Sequence, residues 1–243
     1  MRAVGVIPAR MASTRFPGKP LTPIAGRPML EHCWRGASES ELLDEVVVAT
    51  CDDEIREWSE SAGVGCVMTS PAHERATDRV AEAAEQIDAE AFVLIQGDEP
   101  LVSASMIDAA LRPVVDDGAF CTNLVKRLRS EEELNSPNLV KVVADVSGRA
   151  LYFSRSPIPT ALHSGFEGIA AYNQVAIFGF RREALLEFAR LSPTPYEIAE
   201  SVDMLRYVEH GRAIQLVEST ETTHAVDVPE DVAVVERMLA AAR

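Results

Sequence analysis

Ala3-Val4-Gly5-Val6-Ile7-Pro8-Ala9-Arg10-Met11-Ala12-Ser13-Thr14-Arg15-Phe16-Pro17-Gly18-Lys19-Pro20 begins as an apolar run and ends as a basic loop of small residues. Residues 3–7 have the uninterrupted hydrophobicity of a strand buried on both faces. Comparable runs recur at 45–49, 91–95, 140–143, 174–180 and 214–217. Between them lies helical spacing: Met29, Leu30, Cys33, Trp34 and Ala37 follow Pro28, and Val80, Ala81, Ala84 and Ile87 follow Thr77. This alternation predicts an α/β protein built on a mostly parallel, doubly wound sheet with helices on both faces. Ligands then belong in strand-to-helix loops beyond the carboxyl ends of the strands.

The alternation weakens between 124 and 152. A charged segment, 127–133, leads to Ser136-Pro137-Asn138-Leu139-Val140-Lys141-Val142-Val143 and, after Gly148, to Ala150-Leu151-Tyr152-Phe153-Ser154-Arg155. That reads as an inserted hairpin. The Gly-rich, polar stretch 159–171 reads as a loop, and Val232, Val235, Met238 and Leu239 as a closing helix over 229–243. The expectation is one domain, 1–243, with an excursion at about 125–180.

Thirty-eight acidic residues against 23 Lys and Arg leave a net charge of −15, which argues against a nucleic-acid or anionic-membrane partner. At 47% hydrophobic and 25% charged, the composition is that of a folded globular chain. No run approaches the roughly 18 apolar residues of a membrane span, and the first residues lack a secretion signal's apolar stretch. A cytoplasmic protein is expected. Cys33, Cys51, Cys66 and Cys121 show no CxxC spacing, so they read as reduced residues, mostly of the core.

Against that acidic background, Arg10, Arg15 and Lys19 fall within ten residues of one loop after a strand. Arg offers phosphate oxygens a planar fork, Lys a point charge, and Ala12, Ser13 and Gly18 let backbone approach a ligand. The loop suits a nucleoside triphosphate, and a solvated surface loop is the alternative. It is not a GxxxxGK[ST] loop, because Pro20 follows Gly18-Lys19. A second feature is Gln96-Gly97-Asp98-Glu99-Pro100, where a strand ends in two carboxylates. These either hold Mg²⁺ or cap a helix starting near Ser103. The third is Val226-Asp227-Val228-Pro229-Glu230-Asp231, where Asp227 reads equally as a helix cap or a second metal ligand.

Together these three segments, with the 136–155 region, resemble the cytidylyltransferases that activate 3-deoxy-manno-octulosonate as its CMP derivative, and the resemblance spans nearly the whole chain. It implies a Mg²⁺-dependent nucleotidyltransferase using CTP and an anionic acceptor, a homodimer, and a step of lipopolysaccharide biosynthesis. It implies that Ala9, Arg10, Ser13, Arg15 and Lys19 bind the nucleotide with Thr77, Arg79 and Gln96. Arg10, Lys19 and Asp98 act on the reacting phosphates, and Asp98 and Asp227 hold the metal. Gln96, Asn138, Lys141, Arg155, Gln174, Glu197, Glu200 and Asp203 are implied at the acceptor, Arg155 on its carboxylate. The apolar Leu151, Phe153 and Ile158 are implied at the dimer contact.

Four departures from the family pattern bear on specificity. Arg75-Ala76 replaces an expected Ser-Gly, which bears on base selectivity; Gln174 stands for His, Phe178 for Tyr and Met204 for Gln. The last three point to an altered acceptor, another 2-keto sugar acid or a small phosphonate, as the alternative to octulosonate. A nucleotide-binding regulator without turnover is a third reading, opposed by the intact Arg10, Lys19, Asp98 and Asp227. His32, His163 and His210 read as structural. His73 and His224 lie beside the implied site, with no triad or HxxxH spacing.

Overall fold

The computed structural model describes residues 1–12 and 16–241. In the first half of the chain, β1 (Ala3–Ala9) leads through a ribbon of β2 (Pro23–Ile24) and β3 (Arg27–Pro28) to α1 (Met29–Ser38). Then come β4 (Glu45–Thr50), α2 (Asp53–Ala62), β5 (Gly65–Met68), α3 (Ala76–Gln86), β6 (Ala91–Ile95) and α4 (Ala104–Asp116). The second half has β7 (Cys121–Arg127), α5 (Glu131–Asn135), β8 (Lys141–Ala144), β9 (Ala150–Ser154), β10 (Tyr172–Arg181), α6 (Arg182–Phe188) and α7 (Pro195–Glu200). It closes with α8 (Leu205–Glu209), β11 (Gln215–Glu218) and α9 (Pro229–Ala241).

The main sheet runs β11-β7-β10-β6-β1-β4-β5. β1 pairs in parallel with β4 and β6, with Val6 opposite Val47 on one side and Leu94 on the other. Only β10 runs antiparallel to both its spine neighbours, β6 and β7. The sheet is thus mixed but mostly parallel, as the alternation of strands and helices predicts.

Side-chain alternation along β1 divides the core. Val4 and Val6 join Val80, Ala84, Phe92, Leu94, Phe180 and Leu185 on one face, toward α3 and α6. Ala3, Ile7 and Ala9 join Leu30, Cys33, Ile95, Ile107 and Leu111 on the other, toward α1 and α4. A smaller cluster of Ile24, Met29, Val226 and Val235 fastens α9 beside the β2–β3 ribbon. All four cysteines are free, Cys33 and Cys121 buried.

Two strands of the spine are not foreseen by the apolar pattern. β5 is short and only half buried. β7 carries Thr122 and Asn123 in its buried run, where Thr122 bonds to main chain and Asn123 to main chain and to Gln174. The register of β10 against β7 shifts between Gln174 and Phe178. Asn123 Nδ2 donates to the carbonyls of Val175 (2.8 Å) and Ile177 (3.3 Å) at this irregularity. A bulge needs such partners for the carbonyls it removes from the ladder. Because β7 and β10 both belong to the spine, the excursion expected at about 125–180 narrows to 128–171. It is attached through β8, which pairs with β10 at Val142–Tyr172. The β8–β9 hairpin is as read from sequence. Leu151 on β9 is exposed, whereas Phe153 belongs to the core rather than to a surface.

Candidate active site

β1 and β6 end side by side. A Cβ on Gly97 would lie 3.0 Å from the Pro8 carbonyl, so glycine lets the two strand ends approach this closely. Gly18, whose φ of +74° is left-handed, donates its N–H to the Met11 carbonyl at 3.1 Å. This brings Lys19 back over the end of β6. Its Nζ lies 2.8 Å from Asp98 Oδ2 and 2.9 Å from the Val226 carbonyl. The Val226 N–H in turn donates to the Asp98 carbonyl at 2.9 Å. All three segments singled out in the sequence therefore meet at one point.

The capping alternative for Asp98 and Glu99 falls away, since the Ser103 hydroxyl accepts the Met106 N–H at the start of α4. At the entry to α9, Asp231 Oδ2 accepts the N–H groups of Asp227 and Val228 at 2.8 and 3.0 Å. Glu99 is buried beneath Asp98, where the Thr223 hydroxyl donates to it. Burial pushes its carboxyl up to about 7; the Thr223 bond opposes this, and the charges of Asp98 and Asp227 reinforce it. Asp98 is therefore the carboxylate that lines the pocket here, with Lys19 as its counter-charge.

Above it opens a cavity of about 430 Å³. Ala9, Arg10, Lys19, Gln96 and Asp98 line one side, and Arg75, Arg79, Ser201 and Asp203 the other. Arg10 is exposed. Ser13 and Arg15 lie outside the described residues.

On the far side Asp203 organises the wall. Its Oδ2 accepts the Thr77 hydroxyl at 2.9 Å and the Thr77 N–H at 3.4 Å, serving the first turn of α3 from another part of the chain. Burial raises the Asp203 carboxyl, and Arg75 and the Thr77 bonds counter the rise. Arg79 is buried and spends its guanidinium on the Thr69 hydroxyl and the Ser70 and His73 carbonyls. It braces the turn before α3. His73 contacts Glu82, which also accepts the Ser70 N–H at 2.9 Å.

Asn138, Lys141, Arg155, Gln174, Glu197 and Glu200 do not line this cavity. Lys141 is fully buried, and its Nζ donates to the carbonyls of Ser136, Leu139 and Arg155 at 2.6, 2.8 and 2.5 Å. Burial first, then the Arg155 charge, lowers its pKa. Glu197 is buried against Arg206, and Gln174 Nε2 donates to Asn123 Oδ1 at 3.0 Å, inside the β10 irregularity. Glu200 accepts the Ser154 hydroxyl at 2.7 Å and the Arg155 N–H at 2.8 Å. Arg155 itself donates to the Glu200 and Pro137 carbonyls at 2.9 and 3.3 Å. Phe178 and Met204, read from sequence as pocket residues of altered polarity, are both buried in the apolar core. Sequence reasoning gave no binding role to Arg75 and none at all to Ser201. The signal for Arg75 was a cation where a small-residue turn was expected.

A family model described as cytidylyltransferase matches residues 4–215. The chain is 43% identical to a 3-deoxy-manno-octulosonate cytidylyltransferase of Geobacter metallireducens, over 98% of each chain. It is 46% identical to that of Myxococcus xanthus, over 99% of this chain and 97% of the relative. The chain belongs to the 3-deoxy-manno-octulosonate cytidylyltransferase family. Among solved structures, CMP:2-keto-3-deoxy-manno-octonic acid synthetase complexed with CTP superposes with a TM-score of 0.94 at 35% identity, covering 100% of both chains. A cytidylyltransferase from Leptospira borgpetersenii, 19% identical with a TM-score of 0.66, shares the fold. The Lys19–Asp98 junction of this chain lies at the strand ends, where a fold of this kind puts ligands.

Proposed function

We propose that the protein transfers CMP from CTP to 3-deoxy-manno-octulosonate with release of pyrophosphate. The observation that carries this reading is the junction of Lys19, Asp98 and the Val226-Asp227 segment beneath a cavity lined by Arg10, in a chain of this family. The acceptor's anomeric oxygen bonds to the α-phosphorus of CTP in line as the bond to the β-bridging oxygen breaks. Pyrophosphate leaves with that electron pair, and the hydroxyl proton passes to solvent. Arg10 and Lys19 offset the charge gathering on the departing phosphates, and the cavity walls hold the reactants in line. Gln96, just past the end of β6, lines the same side of the cavity as Arg10 and Lys19.

Among the described residues no cluster of three or more His, Cys, Asp or Glu forms a metal cage. Asp98 and Asp227 nonetheless suit Mg²⁺, which uses one or two carboxylates and completes its shell with phosphate oxygens and water. The ammonium of Lys19 on Asp98 Oδ2 supports a cation position there. Bound Mg²⁺ would neutralise charge on the phosphate oxygens.

We read residues 1–243 as one domain acting as a homodimer, with exposed Leu151 on β9 as part of the contact. Among the described residues no helix is long and apolar enough to cross a membrane. We read the protein as a cytoplasmic enzyme of lipopolysaccharide biosynthesis. The buried positions of Phe178 and Met204 withdraw two of the three supports for an altered acceptor. Pyrophosphate release from CTP with octulosonate, abolished by chelator and restored by Mg²⁺, tests the reading. No release with octulosonate at any metal concentration would overturn it.

A further inference from the structure

The 219–228 segment joins β11 to α9 without helix or strand, and it carries the Val226 carbonyl, which accepts Lys19 Nζ, and Asp227. Its main chain is tied to the strands at two points. Ser219 donates its N–H to the Val125 carbonyl at 2.8 Å where the segment leaves β11, and Val226 donates its own to the Asp98 carbonyl at 2.9 Å. Between these points side chains make the ties to the rest of the fold. Ser105 donates its hydroxyl to Glu221 Oε1 at 3.0 Å, on the exposed surface, and Thr223 donates its hydroxyl to Glu99 Oε2 in a part-buried site.

Glu99 is itself held firmly. It follows Asp98 in the turn after β6, where its N–H donates to the Gln96 carbonyl at 3.2 Å and its carbonyl accepts the Val102 N–H at 3.0 Å. The residue is only 6% exposed. Removing a carboxylate from water is costly unless donors meet it, and a bond that only closed a loop could use a neutral acceptor. On the other side of Asp227, Asp231 Oδ2 accepts the N–H groups of Asp227 and Val228. Asp227 thus stands between a tie to the end of β6 and the entry to α9.

We propose that Glu99 is a positioning residue for cytidylyl transfer: through the Thr223 hydroxyl, its carboxylate sets the Val226 carbonyl and Asp227 at the end of β6 before CTP and Mg²⁺ bind. The proposal rests on the transfer reading above, with Asp227 as a metal ligand. Glu99 does not line the cavity, so it acts through the segment and not on the substrates. Thr223 is half-buried, and valine has nearly its shape without the hydroxyl, so Thr223→Val removes the bond with little change in packing.

Two measurements on the full chain test it. Hydrogen exchange without metal or nucleotide reads the segment directly: Thr223→Val should speed exchange of the Val226 amide by about tenfold or more and leave the amides of β6 unchanged. Thr223→Ser keeps the hydroxyl and should exchange as the unmodified protein does. Pyrophosphate release from CTP with octulosonate reads the consequence. Thr223→Val and Glu99→Ala should each lower kcat by about tenfold and raise the Mg²⁺ concentration for half-maximal rate by a similar factor, with the KM for octulosonate within about twofold. Thr223→Ser should restore both, and the double variant should be no slower than the slower single variant, because all three lose one bond. If Glu99→Ala does not fold, Thr223→Val against Thr223→Ser decides alone. Unchanged exchange in Thr223→Val overturns the proposal, and so does faster exchange with unchanged kcat and Mg²⁺ dependence, which would make the bond structural only. Absence of turnover by the unmodified protein, or normal turnover in Asp227→Asn, overturns the parent reading and the positioning role with it, whatever the exchange rates.

Discussion

Lys19 Nζ stands 2.8 Å from Asp98 Oδ2, so a cation carried by the loop after β1 holds the carboxylate that ends β6. Both side chains keep some access to water, 14% and 27%. An exchangeable pair of this kind contributes little to stability, about 0–1 kcal/mol. Its consequence under the proposed function is local: an incoming triphosphate would compete for Lys19 and a metal ion for Asp98, each taking one half of the ion pair.

Lys19→Ala should therefore weaken CTP binding by roughly tenfold to a hundredfold, the range of about 1.5–3 kcal/mol for hydrogen bonds to charged groups. Arg10→Ala should behave likewise. CMP lacks the β and γ phosphates, so its affinity should change far less. Calorimetry with both nucleotides decides the matter: equal losses would place these cations away from the polyphosphate.

Asp98→Asn and Asp227→Asn should each lower turnover by about a hundredfold or more, with a shifted dependence on Mg²⁺ concentration. The melting temperature of Asp98→Asn should barely move, since only the partly exposed pair to Lys19 is lost. Near-normal turnover in both variants would remove the metal assignment.

The strand ends of β1 and β6 were readable because both strands are apolar runs, the first followed by a basic loop of small residues and the second by Gly97 and two carboxylates. β7 was not, because Thr122 and Asn123 look unsuited to a buried strand until their partners are known. Thr122 Oγ1 donates to the Ala110 carbonyl and accepts the Gly179 N–H, contacts that exist only once α4 and β10 are in place. Similar limits apply at the acceptor side. Lys141, Gln174 and Glu197 have polar groups suited to a sugar, but residue type does not reveal that backbone carbonyls, Asn123 and Arg206 use them first. Arg75 was visible only as an oddity, since the partners that hold it, Ser201 and Asp203, lie more than a hundred residues away.

Arg206 is buried between Glu197 and Asp78, with Nη2 2.7 Å from Glu197 Oε1 and Nη1 2.8 Å from Asp78 Oδ1. Its guanidinium carbon also lies 4.0 Å from the centroid of the Phe188 ring. Arg206→Met would leave Glu197, 1% exposed, without its counter-charge. Breaking one side of such a pair costs about 3–5 kcal/mol. Urea unfolding should show a loss of that size, and a change under about 1 kcal/mol would mean that water or a shifted proton replaces the arginine.

Glu82 connects stability to acid. Its carboxyl lies below the ordinary range of 4.5: partial burial acts upward, but the Ser70 N–H bond, His73 and the Arg79 charge outweigh it. A depressed carboxylate stabilises the fold above its unfolded pKa and loses that contribution as pH falls through the folded value. The melting temperature of the unmodified protein should thus drop below about pH 4.5, and Glu82→Gln should flatten that limb. Identical slopes below pH 4.5 in the two proteins would locate the acid sensitivity elsewhere.

Acceptor choice gives the last expectation. Met204 and Phe178 sit in the apolar core beside Leu205 and Phe180, so their loss of polarity relative to the family pattern alters packing rather than a sugar contact. Gln174 is tied to Asn123 and supports the irregular turn of β10 against β7. Met204→Gln would place an amide among hydrocarbon side chains, where an unsatisfied polar group costs about 1–3 kcal/mol. The expected outcome is a less stable protein with unchanged kcat/KM for octulosonate, because the substituted atom lies away from the cavity wall. Gln174→His should likewise reduce stability more than it changes selectivity, since the ring must replace the bond to Asn123. The unmodified enzyme should use octulosonate in preference to small phosphonates. A double variant, Gln174→His with Met204→Gln, that gained about tenfold or more in kcat/KM for octulosonate would show that these positions reach the acceptor after all, through a rearrangement of β10 and α8 on binding.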